Sequence, residues 1–337
     1  MLSNQTIIYN LEMKTYQQLW QSLTPLYDAG EAQAIVRTVL DVKYGMTLTD
    51  IICGKVNELS ADEERKLEEI IIRLQKGEPV QYVLGEADFA GRTFHVEPGV
   101  LIPRLETAEL CQWIEEDMAV KSTVSSEVFS EDSPQAPDDA RQILDICTGS
   151  GCIAITLGLN IPNSEVTGWD ISEDALRIAQ GNVKMLKARN VRIEYQDALA
   201  LRKAAETDNE KMKVTADKEV VKSKGEAKAP STQKWDMIVS NPPYICEKEK
   251  ADMEKNVLEH EPSIALFVPD EDPLKFYRAI AEYASSALKP GGALYFEINP
   301  IYEKETRKML EELGFKDIET KEDAFGKKRM MRAKSTK

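Results

Sequence analysis

The spacing of apolar residues changes along this chain, and each change marks a different kind of element. Up to about residue 76 they recur every three or four positions: Tyr16, Leu19, Trp20, Leu23 and Leu26 form one stripe, and Ala34, Ile35, Thr38, Val39 and Val42 a second. That period predicts amphipathic helices. Ser60-Ala61-Asp62-Glu63 has the order of a capping box, opening a helix that carries Leu67, Ile70, Ile71 and Leu74 and stops at Gly77. Residues 1–77 read as a small helical bundle, either a stabilising appendage or a platform for a macromolecular partner. Between 78 and 105 the runs become short and alternating (Ala87-Asp88-Phe89, Arg92-Thr93-Phe94-His95-Val96) around Ala90-Gly91. This predicts a β-hairpin linker between two domains.

Residues 106–118 return to helical spacing with Leu110, Trp113 and Ile114 inward, whereas 119–139, rich in Ser, Asp, Glu and Pro, read as a mobile surface loop. From 141 onward strands and helices alternate. Strands are predicted at 142–147, 165–170, 191–196, 235–240 and 293–298. Helices begin at Cys152, after Ser172 and near residue 273, and a last one covers 302–313. Segments 317–319 and 329–332 read as two edge strands. Such alternation builds a doubly wound, mostly parallel α/β sheet. Residues 201–233 interrupt it with Lys, Glu, Ala and Thr and almost no large apolar side chain, predicting a disordered or frayed-helical insertion.

The strand at 235–240 ends abruptly in Asn241-Pro242-Pro243-Tyr244. A proline keeps the residue before it out of the α region and offers no amide hydrogen to a sheet ladder. The outcome is a stiff extended shelf, with an amide side chain before it and an aromatic ring after it. A bare Pro-Pro loop with a capping Asn has the same local pattern. The glycine turn upstream separates the two readings.

Composition narrows the possibilities. The 337 residues suffice for two domains, and 42% hydrophobic with 30% charged residues are the proportions of a soluble globular protein. No apolar run reaches membrane length, and MLSNQTIIYNLEMK is not a signal peptide. Five cysteines without C-x-x-C spacing fit reduced thiols and a cytoplasmic location. Two histidines, His95 and His260, far apart in sequence, argue against a zinc site or a histidine-dependent hydrolase, so no metal is expected. A formal net charge of −15 opposes phosphate-driven binding of nucleic acid and favours a protein or small-molecule substrate.

Two places carry chemistry. In an open α/β sheet, ligands sit beyond the carboxyl ends of the strands where the strand order reverses. The turn Cys147-Thr148-Gly149-Ser150-Gly151 lies there, its glycines allowing close backbone approach and the next helix presenting free amides to a carboxylate. Asp170, closing the second strand, can accept ribose hydroxyls, and Asp197, followed by Ala198, can meet an adenine. Asp145 either organises the turn or meets an ammonium group of the ligand. A nicotinamide cofactor and S-adenosylmethionine both suit this pattern, although G-x-G-x-x-G is absent. If the sheet reverses after its third strand, Asn241 stands beside this turn. Its carbonyl and that of Pro242 can each accept one hydrogen of a substrate –NH2, while Tyr244 holds a planar group. Positioning then does most of the work, because a sulfonium leaving group is already activated. Arg104 is either a surface residue or one that orders the cofactor or the entering loop.

Together, LIPRLETAEL, ILDICTGSGCIAI, VTGWDIS, IVSNPPYI and HEPSIALFVPDEDPLKFYRAI resemble the peptide-chain release factor glutamine N5-methyltransferases (PrmC/HemK family), class I S-adenosylmethionine-dependent enzymes. The resemblance runs from about residue 78 to the end, behind a helical segment of the expected size. It implies a Rossmann-like sheet, mostly parallel with an antiparallel last strand, in a catalytic domain spanning 106–337, and a substrate-docking domain at 1–77. It implies S-adenosyl-L-methionine as cofactor at Cys147–Gly151, Asp170, Asp197, Ala198 and Asn241. Substrate and catalytic contacts fall on Asn241, Pro242, Pro243 and Tyr244. The implied substrate is the glutamine of the Gly-Gly-Gln loop of class 1 peptide chain release factors, with no stable nucleic-acid or membrane binding. A ribosomal-protein glutamine or an exocyclic amino group of a nucleic-acid base are the alternatives. Three positions depart from the family pattern: Leu105 stands for a common proline, Ala198 for an aromatic in some relatives, and Cys147 for the usual first glycine. A side chain at 147 is expected to be tolerated with φ negative.

Overall fold

The computed structural model describes residues 15–128, 140–201 and 234–336. They fall into two compact units, one comprising the described residues up to Gly85 together with Lys255–His260, the other comprising the rest.

The first unit is helical: α1 (Tyr16–Gln21), α2 (Ala29–Tyr44), α3 (Leu48–Ile52), α4 (Ala61–Leu74) and α5 (Val80–Leu84), with the short helix Lys255–His260. The starts of α1 to α4 carry side-chain caps. The expected box at Ser60 and Glu63 is present, and Thr15 with Gln18 and Thr47 with Asp50 form two more. Leu19, Leu23, Val36, Leu40, Leu67, Ile71 and Leu74 make the core. The second sequence stripe is therefore corrected: α2 buries Ala32, Val36, Val39 and Leu40, while Ala34, Thr38 and Val42 are exposed. Alanines lie on both faces of this helix, and the face with more branched apolar surface takes the core because burial scales with apolar area. Leu26 also lies outside, being exposed.

The second unit opens with the antiparallel hairpin β1 (Glu86–Phe89) and β2 (Arg92–His95). Its turn residues Ala90 and Gly91 both have positive φ, 48° and 75°, which matches the twist of a two-residue hairpin. Then follow α6 (Leu105–Val128), β3 (Arg141–Ile146), α7 (Cys152–Asn160), β4 (Ser164–Asp170), α8 (Glu173–Met185), β5 (Val191–Tyr195), β6 (Trp235–Ser240), β7 (Ile245–Cys246), β8 (Phe267–Val268), α9 (Lys275–Ala287), β9 (Leu288–Glu297), α10 (Glu303–Glu312), β10 (Lys316–Glu322) and β11 (Lys328–Lys334).

The main sheet has the order β10-β11-β9-β6-β3-β4-β5. It is parallel except for β11, which runs antiparallel to both β9 and β10. The chain steps outward from β3 through β4 to β5, then returns to the other side of β3 with β6. That reversal makes the carboxyl ends of β3 and β6 a topological switch point, which meets the condition for placing Asn241 beside the glycine turn. Alternate strand residues divide between two cores. Ile143, Val166, Met237 and Tyr295 pack with α6 and α7, while Leu144, Ile146, Ile238, Leu294 and Phe296 pack with α9 and α10.

Three expectations change. The last strand is not an edge: β11 lies between β9 and β10 and buries Met330, Met331 and Ala333, its charged ends having disguised an interior strand. Helix α6 continues to Val128, ten residues beyond the predicted end at 118, because no proline or glycine intervenes before Pro134. The predicted loop thus begins as helix, and its remainder, 129–139, lies outside the described residues. Leu201, taken as the start of the polar insertion, is buried in the core, whereas 202–233 lie outside the described residues.

Candidate functional site

The carboxyl ends of β3, β4, β5 and β6 surround a cavity of about 330 Å³ within the second unit. Cys147, Thr148, Gly149, Ser150, Asp170, Asp197, Ala198, Asn241 and Pro243 line it. Gly151, Pro242 and Tyr244 are not among its lining residues, although each adjoins one that is.

Backbone bonds hold the glycine turn. The Thr148 amide donates to the Trp169 carbonyl at 2.9 Å, and the Gly151 amide donates to the Thr148 carbonyl at 2.9 Å. Gly149 and Gly151 have φ of 55° and 82°, a region that favours glycine. Cys147 shares it with φ of 63°, so the expectation of negative φ there is overturned. The turn demands a left-handed residue at the strand end, and a side chain in that conformation costs about 1–3 kcal/mol. Burial, reinforced by Asp170 and Asp145, holds the Cys147 thiol well above its ordinary range and keeps it protonated.

Asp145 organises this turn. Its Oδ2 accepts the Thr148 hydroxyl at 2.6 Å and the Ala154 amide at 3.1 Å, while its buried Oδ1 has no partner among the described residues. Burial pushes its carboxyl up to about 7. Asp170 Oδ2 accepts the Gly149 amide and Oδ1 the Ser172 amide, each at 2.9 Å, which fixes the carboxylate at the cavity edge. Its pKa is also raised by burial. Asp197 Oδ1 accepts the Leu199 amide at 2.8 Å. Gly151, the N-cap of α7, has no side chain to cap it, and Asp145 takes the Ala154 amide, so the other first-turn amides are the backbone donors available to a ligand.

On the other side of the switch point, Asn241 Nδ2 donates to Thr107 Oγ1 at 3.2 Å. Thr107 donates to Glu297 Oε2 at 2.5 Å, and the Tyr244 hydroxyl donates to Glu297 Oε1 at 3.0 Å. Behind Tyr244, the parallel pair β7–β8 ties the end of the shelf to residues 267–268. The donor set suits a nucleoside carrying an amino-acid tail. Acidic acceptors suit hydroxyls, free helix amides suit a carboxylate, and Ile171, Ala198, Leu199 and Phe276 form an apolar wall for a flat ring.

Residues 137–322 match the family described as methyltransferase domain, and residues 24–85 match the PrmC N-terminal domain. A release factor glutamine methyltransferase of Bacteroides thetaiotaomicron is 44% identical over 313 residues, covering 93% of this chain and 96% of its own. The chain belongs to the release factor glutamine methyltransferase family. Other relatives bearing that name come from Flavobacterium psychrophilum, 35% identical over 95% of this chain and 98% of theirs, and Streptococcus pneumoniae, 34% identical over 85% and 86%. No helix among the described residues is long and apolar enough to cross a membrane.

Within this release factor glutamine methyltransferase fold, several supporting residues escape sequence reasoning. Asn182 is fully buried on α8 and donates to the carbonyls of Ser150 at 2.9 Å and His95 at 3.0 Å, joining the turn to the hairpin. His95 itself is a strand residue whose Nε2 meets Glu97, in keeping with its non-catalytic reading. Glu261 is buried and pairs with Arg104 while accepting the Ile102 amide at 3.2 Å, so Arg104 orders the segment entering α6. Thr107 and Glu297 are the others. A glutamate closing the apolar run ALYF was the available signal for Glu297. Nothing local marks the remaining three.

Proposed function

We propose that this enzyme transfers a methyl group from S-adenosyl-L-methionine to the side-chain amide nitrogen of the Gly-Gly-Gln glutamine in class 1 peptide chain release factors. The observation that carries the reading is the orientation of Asn241. With its amide nitrogen given to Thr107, its Oδ1 is left as an acceptor at the cavity wall.

The cofactor site proposed is the turn Cys147–Gly151 with Asp170, Asp197 and Ala198. The amides at the start of α7 hold the carboxylate of the amino-acid tail, Asp170 the ribose hydroxyls, and the apolar wall the adenine. When bound, S-adenosylmethionine supplies a methyl carbon made electrophilic by its sulfonium. Asn241 Oδ1 and the Pro242 carbonyl each accept one hydrogen of the glutamine –NH2, which fixes the direction of the nitrogen lone pair and localises it. Pro243 and Tyr244 keep the shelf rigid. The helical unit serves as the docking platform for the release factor, a role supported by its match to the PrmC N-terminal domain.

The test is tandem mass spectrometry of a purified class 1 release factor incubated with enzyme and cofactor, beside a duplex DNA control. One added methyl on the Gly-Gly-Gln peptide and none on DNA is the expected result. Methyl transfer confined to DNA would overturn the assignment.

A further inference from the structure

Glu297 closes β9 and is 2% exposed, yet it forms no ion pair among the described residues. Burial raises its pKa, and the hydrogen bonds from Thr107 and Tyr244, with the more distant charge of Arg329, offset that cost and favour the carboxylate. A carboxylate is an acceptor, and both of its neighbours are hydroxyls that donate to it: Thr107 at 2.5 Å and Tyr244 at 3.0 Å. The Thr107 hydroxyl has a single proton, and Glu297 takes it. The Thr107 oxygen then has lone pairs but no proton for Asn241, which must offer its –NH2, at 3.2 Å.

We propose that Glu297 is a positioning residue that, through Thr107, dictates which end of the Asn241 amide faces the cavity. An asparagine amide has nearly the same shape either way round, so shape alone does not choose. Turned over, Asn241 would direct N–H donors at the N–H donors of the substrate amide, and no hydrogen bond would form. The relay Glu297–Thr107–Asn241 removes that state. The same carboxylate holds the Tyr244 hydroxyl, so one buried acceptor sets both ends of the shelf. This inference rests on the proposed amide substrate only for its consequence in catalysis; the relay is a property of the protein alone.

Two measurements test it on full-length Thr107→Val, Thr107→Ser and Glu297→Gln proteins. The first is the single-turnover rate of methyl transfer to a release factor, with cofactor Kd measured in parallel. Thr107→Val and Glu297→Gln are expected to slow transfer about 10- to 100-fold, the worth of a misdirected buried hydrogen bond, with Kd little changed. Thr107→Ser, which keeps the hydroxyl, is expected to restore the rate. The second is solvent exchange of the Asn241 side-chain –NH2 by NMR on asparagine-labelled enzyme without substrate, its signal assigned by loss in Asn241→Ala. Protection in the wild type and in Thr107→Ser, lost in Thr107→Val, supports the relay. Equal exchange in all three overturns it, as does a Thr107→Val enzyme with wild-type rate and wild-type protection. If the wild type transfers no methyl to the release factor, the proposed function falls, and the exchange measurement still decides the relay.

Discussion

The Ser240 hydroxyl donates a 2.5 Å hydrogen bond to the carbonyl oxygen of Ile146, joining the last residue of β6 to the last residue of β3. The glycine turn leaves from one of these ends and the proline shelf from the other. This bond therefore sets the separation between the two halves of the site. Ser240→Ala removes the donor, and urea unfolding is expected to show a loss of about 1 kcal/mol. An unchanged midpoint would mean that the ladder alone fixes the two ends.

Gly168 explains why a strand residue in β4 lacks a side chain. A Cβ at that position would lie 2.8 Å from Thr148 Oγ1 and 2.9 Å from Ile193 Cδ1. Thr148 is the residue that ties the turn to Asp145. Gly168→Ala is expected to destabilise the protein by about 1–3 kcal/mol, an overpacking cost, and to weaken cofactor binding as the turn shifts. Isothermal titration with S-adenosylmethionine, beside thermal unfolding, checks both.

Cys147 holds a conformation that favours glycine, with φ of 63°. Cys147→Gly exchanges backbone strain for chain entropy and lost packing, so stability is expected within about 1 kcal/mol of the wild type. Cys147→Val places a β-branched side chain at positive φ and is expected to cost about 2 kcal/mol or more. Denaturation of the pair separates strain from simple burial; equal stabilities would count against the strain.

Asp145 gives the site a pH dependence. Its carboxyl is pushed from an ordinary 3.8 up to about 7, chiefly by burial. The folded protein then holds this proton more tightly than the unfolded chain does. The stabilisation it provides is complete below the ordinary value and is lost as pH rises through the raised one. Asp145→Asn abolishes that titration. Without cofactor, its stability relative to wild type is expected to improve by on the order of 2 kcal/mol between about pH 5 and about pH 8.5. A gap that stays constant across that range would contradict the assignment.

Much of this site could be read from the sequence because local chemistry encodes it. Asn241-Pro242-Pro243 ends a strand through covalent geometry, and Gly149 and Gly151 permit a tight turn for the same reason. The mostly parallel sheet followed from the alternation of strands and helices, whereas its reversal after the third strand entered only as a condition. The polar second layer was less legible, because Thr107, Asn182, Glu261 and Glu297 work across separations such as the 190 residues between Thr107 and Glu297. The face of α2 was misread because its alanines serve either side, and packing decides between them. The interior position of β11 depends on pairing with β9, which no local pattern announces.

The most direct test of the site is Asn241→Ala, followed by single-turnover methyl transfer to a class 1 release factor and by titration of the cofactor. A rate loss of about 100-fold or more is expected, in the range seen when a stabilising hydrogen-bond partner is removed from an active site, with cofactor affinity close to wild type. Transfer at near wild-type rate, or a fall in cofactor affinity large enough to explain the whole loss, would contradict the role given to Asn241.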